Sequence, residues 1–123
     1  MVPAVAIIED CGDLRRLLVM VLEAEGVRAL PLGSLSQVRH HATDVLSSRV
    51  VVIDINLGPG QPDGVAVYRW LRDQDYAGKV FFLTGHAKNS PLVVEAAATG
   101  VPILEKPMGI DALVPAIVDT MAS

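Results

Sequence analysis

The sequence predicts an α/β fold, a doubly wound, five-stranded parallel sheet with helices on both faces. Three observations carry that prediction. Short apolar runs alternate with segments of helical spacing along the whole chain. The apolar runs are continuous instead of alternating in and out, which is how strands read when both faces are covered. Hydrophobic residues make up 51 % of the 123 residues, yet no apolar run approaches the roughly 18 residues that a membrane span needs.

Residues 4–8, 50–53, 80–83 and 101–104 form four of the runs, rich in Val, Ile and Phe. A weaker run at 27–32 contains Arg28 and Pro31. It predicts an edge strand, where a proline removes no needed ladder bond.

Helical spacing fills the intervals. Leu14, Leu17, Leu18, Val21 and Leu22 fall at i, i+3, i+4, i+7 and i+8, and Gly26 follows as a stop. Val19 and Met20 widen that arc. Leu35, Val38, Ala42, Val45 and Leu46 predict one second helix, and Val67, Tyr68 and Leu71 a third after Gly64. Ser90 and Pro91 make an N-cap and first-turn pair for a fourth, which Gly100 ends. Ile110, Leu113, Val114, Ile117, Val118 and Met121 give the fifth. Pro115 is tolerated there if Asp111 caps the helix, because the proline then sits in or just past the first turn. Five βα units joined by right-handed crossovers favour an open parallel sheet.

Composition bounds the function. Residues 1–123 read as a single domain of common size. The net charge is −4, with Lys and Arg scattered, so no nucleic-acid footprint is evident. Residues 1–9 lack the pattern of a signal peptide. One cysteine, Cys11, cannot form an internal disulfide, and a cytoplasmic setting with no membrane contact fits.

Sheets of this kind place their sites at the carboxyl ends of the strands. Strand one runs into Glu9 and Asp10, strand three into Asp54, strand four into Thr84-Gly85, and strand five into Glu105-Lys106-Pro107. Taken singly, each has a bland reading: a solvated strand end, a charge at a helix N-terminus, a surface lysine. Together they place carboxylates, a hydroxyl and an ammonium on one edge of the sheet. Clustered carboxylates attract a hard cation such as Mg²⁺. One carboxylate can remain as a nucleophile, with transfer resting on positioning and charge neutralisation.

At this point the residues resemble a known family. Glu9-Asp10, Asp54 with Asn56, Asp63-Gly64, Thr84-Gly85 and Lys106-Pro107 resemble the receiver domain of two-component response regulators, of which the chemotaxis regulators are the simplest. The resemblance covers essentially the whole chain. It implies the flavodoxin-like strand order 2-1-3-4-5. It implies a domain that takes a phosphoryl group from a sensor histidine kinase or histidine phosphotransfer protein onto Asp54 and then switches partner binding, without turning over an external metabolite. Asp10 matches the direct ligand of Mg²⁺ (or Mn²⁺), Glu9 the acid that helps through water, and Asn56 the residue whose backbone carbonyl binds the metal. Thr84 and Lys106 match the hydroxyl and the ammonium that contact the phosphoryl group. The Lys106-Pro107 bond matches one that is usually cis. The implied downstream partner is a protein, an output domain outside this chain, or a second copy of the domain.

Three features depart from the family's pattern. The loop from Asp54 to Gly64 is a residue or two longer than is common. Ile103 stands where an aromatic switch residue is usual, and the acid pair is Glu-Asp instead of Asp-Asp. Lesser candidates are His86, whose position tunes access to the phosphoryl group in this family, and His40 and His41, read as a solvated face. Trp70 lies off the stripe of its helix, as packing or as a partner contact. Other functions fit less well. A phosphorylation-independent receiver usually lacks a member of the site. An aspartate-nucleophile phosphatase of the haloacid-dehalogenase type carries a second acid where Asn56 stands. A flavodoxin-like FMN carrier needs a phosphate-binding loop where Glu9-Asp10-Cys11-Gly12-Asp13 would repel a phosphate.

Overall fold

A computed structural model of the chain describes residues 3–85, 90–106 and 108–122, without the side chains of 108–111, 121 and 122. The elements follow in the order β1 Val5–Ile8, α1 Gly12–Ala24, β2 Ala29–Leu32, α2 Leu35–His40, α3 Ala42–Ser47, β3 Val50–Asp54, α4 Gly64–Asp73, β4 Lys79–Thr84, α5 Pro91–Ala97, β5 Ile103–Glu105 and α6 Met108–Ala122. The five strands pair in parallel in the order β2-β1-β3-β4-β5. Pro31 sits on β2 at the edge, opposite Ile7 in register, where its missing N–H faces no further strand.

Both faces of the sheet are buried, as the unalternating runs predict. Val5, Ile7, Val50, Val52, Phe81 and Leu83 face one cluster, closed by Leu18 and Leu22 of α1 and Leu113 and Ile117 of α6. Ala6, Ile8, Val51, Ile53 and Phe82 face the other, closed by residues of α2 to α5. β1 and β3 are buried at every position. Burial of that apolar area is the main force holding the helices to the sheet.

Three details differ from the periodicity. The second helical segment is two short helices, with His41 ending α2 and preceding α3 at φ −106° and ψ 30°. On α1 the row Leu14, Leu18 and Leu22 packs inward, whereas Leu17 is 45 % and Met20 68 % exposed. The inward row is spaced i, i+4, i+8, and positions 17 and 20 fall off that row on the solvent side. Finally, α6 begins at Met108, so Asp111 lies inside the helix and does not cap it, and Pro115 is internal. Ser90 stands at the N-cap of α5 with Pro91 in the first turn, but its side chain makes no cap bond. Trp70 packs partly against the core, and His40 and His41 are exposed. Among the described residues no helix is long and apolar enough to cross a membrane.

Candidate functional site

The strand ends deliver their polar side chains to one place because the register fixes them there. Ile8 of β1 lies opposite Ile53 of β3, so the next residues, Glu9 and Asp54, emerge side by side. Asp54 lies opposite Leu83, just before Thr84, and Thr84 lies opposite Glu105, just before Lys106. Hydrogen bonds continue past the strands: Lys106 N–H donates to the Thr84 oxygen at 2.8 Å and Ile55 N–H to the Leu83 oxygen at 2.9 Å.

Carboxylate oxygens of Glu9, Asp10 and Asp54 all lie within 4.8 Å of one another. Glu9 and Asp54 are buried, at 1 % and 5 % exposure, while Asp10 stands exposed at the rim. The Lys106 ammonium spans the two buried acids, 2.6 Å from Glu9 Oε1 and 3.1 Å from Asp54 Oδ2. Cys11 N–H donates to Glu9 Oε2 at 3.2 Å. Burial, and then the contact with Asp54, push the Glu9 carboxyl above the usual carboxylate range, although Lys106 pulls the other way. For Lys106, burial alone would lower the ammonium's pKa, but Glu9 and Asp54 together outweigh it and raise it. The ammonium therefore stays charged. Thr84 is buried at 2 % exposure beside this group.

The loop after β3 is fastened at both ends. Ile55 and Leu57 are buried. Gly64 N–H donates to the Ile55 oxygen at 2.7 Å. A Cβ on Gly64 would fall 2.8 Å from the Ile55 Cα and closer still to the Asp54 oxygen, so only glycine lets α4 begin this close to β3. Asp63 caps α4 by accepting from Ala66 N–H at 3.0 Å. Between these anchors, the Asn56 side chain accepts from Gly58 N–H at 3.0 Å. Gly58 has φ +105°, and a Cβ there would stand 3.3 Å from Asp10 Oδ2. The lengthened loop thus lies against the exposed acid.

Of the residues singled out from the sequence, Glu9, Asp10, Asp54, Thr84 and Lys106 come together, and Asn56 opens the adjoining loop. His86 and the Lys106-Pro107 bond lie outside the described residues. Arg15 was not singled out, although its guanidinium bonds the Glu9 backbone oxygen at 2.7 Å. Its signal in the sequence was slight, a cation one turn past an acid pair, inside an apolar stripe.

The donor set fits a hard divalent cation: oxygen ligands only, with net negative charge even after Lys106 is counted. A carboxylate between such a cation and an ammonium can accept a group whose own oxygens carry negative charge.

Comparisons with known proteins agree with this arrangement. The family model of the response regulator receiver domain matches residues 5–118. Among solved structures, the chain is similar to the receiver domain of the Francisella response regulator 1452, with 22 % identity and a TM-score of 0.78 over 96 % of this chain and 95 % of that one. It is similar to the receiver domain of NtrX from Brucella abortus, with 23 % identity and a TM-score of 0.81 over 97 % and 98 %. A longer NtrX chain from the same organism matches at 24 % identity and a TM-score of 0.82, with 99 % of this chain covering 27 % of that one. No curated protein matches the chain significantly in sequence. The match over nearly the whole length shows that the chain belongs to the response regulator receiver domain family, whose members are phosphorylated on an aspartate in two-component signalling.

Proposed function

We propose that Asp54 is the phosphoacceptor and that residues 1–123 act as one phosphorylation-switched module. The observation that carries this is the position of the Asp54 carboxylate. It is buried at a strand end, 3.1 Å from the Lys106 ammonium and within 4.8 Å of the Glu9 and Asp10 carboxylates.

In the transfer an Asp54 oxygen attacks the donor phosphorus. The new P–O bond replaces a P–N bond when the donor is a phosphohistidine, and the imidazole leaves and takes up a proton. The domain acts on itself and turns over no external metabolite. Glu9, Asp10, Asp54 and the Asn56 carbonyl would hold Mg²⁺ or Mn²⁺, which supplies charge neutralisation for the incoming phosphoryl oxygens. Lys106 offers an ammonium next to the Asp54 carboxylate. It already spans Glu9 and Asp54, so it needs no large movement to meet a third anionic oxygen. The Thr84 hydroxyl, on the neighbouring strand end, donates to the same group. The reading implies a histidine kinase or phosphotransfer protein as donor, a downstream protein or output domain as recipient, and a cytoplasmic setting.

The test is intact mass after incubation with acetyl phosphate and Mg²⁺. The unaltered chain should gain one phosphoryl group, and Asp54→Asn should gain none, because an amide is a poor nucleophile. Equal labelling of the two would remove Asp54 from the role.

A further inference from the structure

The end of β1 is closed by a side chain that phosphoryl transfer does not itself call for. Arg15, in the first turn of α1, donates from Nη1 to the backbone oxygen of Glu9 at 2.7 Å and reaches that of Asp10 at 3.5 Å. The ladder explains why those oxygens need it. Glu9 N–H still bonds the Leu32 oxygen of β2 at 2.9 Å. The next ladder donor to the Glu9 oxygen would be Ser34 N–H, but there the neighbouring chain turns into α2, and Ser34 becomes its N-cap, accepting from Gln37 N–H at 3.3 Å. A backbone oxygen left at a strand end needs another donor. Gly33 leaves room for it, since a Cβ there would stand 3.3 Å from Arg15 Nη1.

We propose that Arg15 is a positioning residue: its guanidinium fixes the Glu9–Asp10 backbone and thereby sets the site's affinity for a divalent cation. This rests on the phosphoryl-acceptor reading of the site. The two acids differ in what else holds them. Glu9 is buried, with its carboxylate fixed by Lys106 and by Cys11 N–H. Asp10 is exposed, so packing does little for its carboxylate and the backbone beneath must place it. A guanidinium suits the task because it is planar, permanently charged and able to fork two acceptors. Groups that orient metal ligands from behind commonly matter to affinity almost as much as the ligands do.

Arg16 is the natural control. It carries the same charge one residue on, is exposed, and pairs with Asp13 within the helix. A pure charge effect would make the two arginines alike, whereas a positioning effect separates them. The experiment is titration of the whole chain with Mn²⁺, following the free ion by electron paramagnetic resonance. R15M should weaken uptake about tenfold. R15K should recover part of the loss, because an ammonium keeps the charge but not the fork. R16M should stay within about twofold of the unaltered chain. At saturating Mg²⁺ the labelling rate of R15M by acetyl phosphate should return to normal, because Arg15 bonds the backbone oxygens of Glu9 and Asp10 and acts only through the cation's ligands. Equal affinities for R15M and R16M, or a labelling rate that stays low at saturation, would overturn the assignment. If R15M does not fold, R15K against R16M decides: weaker uptake by R15K supports the inference and equality refutes it. No uptake by the unaltered chain would sink the acceptor reading itself. Normal uptake that R15M leaves unchanged would sink this inference alone.

Discussion

The middle of the sheet and its β5 edge are built to different standards. In the middle, β1 and β3 are buried at every position, and the Glu9 and Asp54 carboxylates at their ends are both tied to Lys106. At the edge, β5 is three residues long with none fully buried. Beside it Val94 of α5 is 56 % exposed. Local stability follows packing of this kind. The candidate site therefore sits where the backbone can barely move, and the β5 edge sits where movement is cheap.

The same substitution in both regions would test that contrast most strongly. Ile53 is fully buried, and Ile103 is half-buried. Ile53→Ala should cost about 3–4 kcal/mol and Ile103→Ala about 1–2 kcal/mol, read by urea unfolding. Equal costs would mean that the edge is packed as well as the middle.

Lys106→Met probes the seam between the two regions. It removes the cation shared by Glu9 and Asp54 and should cost about 2 kcal/mol. That is below the ~3–5 kcal/mol of a fully buried broken pair, because Lys106 retains some solvent contact. The cost should shrink as pH falls from neutral toward 5. Glu9 has a folded pKa above its ordinary value. Such a carboxyl favours the folded state when protonated and loses that contribution as pH rises through the folded pKa. Without Lys106 the repulsion between Glu9 and Asp54 adds to the same effect. Added Mg²⁺ should restore part of the stability at neutral pH. A cost independent of both pH and Mg²⁺ would show that Lys106 acts through its stem alone.

How far this was legible in the sequence follows the same division. The inner strands β1, β3 and β4 showed as apolar runs because burial on both faces leaves no alternation to misread, and the half-buried edge strand β2 showed more weakly. The site residues showed through their joint pattern at four strand ends, since a single charge after such a run is as well explained by solvation or by a helix N-terminus. Strand order came from family resemblance, since periodicity carries no information on neighbours. The split at His41 was hidden: no Gly or Pro marks it, and Leu35, Val38, Ala42, Val45 and Leu46 keep a helical spacing across it. The start of α6 at Met108 was hidden because Asp111 offered a plausible but unused cap. Arg15 was hidden because its partners are backbone oxygens, which every residue has and no pattern distinguishes.

The lengthened loop supplies a smaller prediction. Gly58 combines φ +105° with a contact toward Asp10. Gly58→Ala should cost about 1 kcal/mol from backbone strain. It should also weaken Mg²⁺ binding by crowding the Asp10 carboxylate, more than Gly60→Ala, which has positive φ but open space around it. Equal binding by the two variants would separate the loop from the site.

The smallest effect on stability, and the sharpest on signalling, is expected at Ile103. It packs against the core that α5 covers, where Val93 and Ala96 are buried and Val94 is exposed. An aromatic is usual here in the receiver family and can swing through a large volume. Isoleucine is stiff at its β-branch and has no hydroxyl to offer Thr84. Its movement can displace little surface, so the response to phosphorylation should pass through Gly85 and α5 instead. Amide exchange with and without a phosphoryl mimic at Asp54 should then change across Pro91–Ala97 more than across Ile103–Glu105. Ile103→Tyr should leave labelling of Asp54 unaltered and stability within about 1 kcal/mol, yet shift part of the exchange response from α5 to β5. A response confined to β5 in the unaltered chain would show that the edge strand, and not the helix beside it, carries the signal. The same pattern in both proteins would show that the size of the residue at 103 does not choose the route.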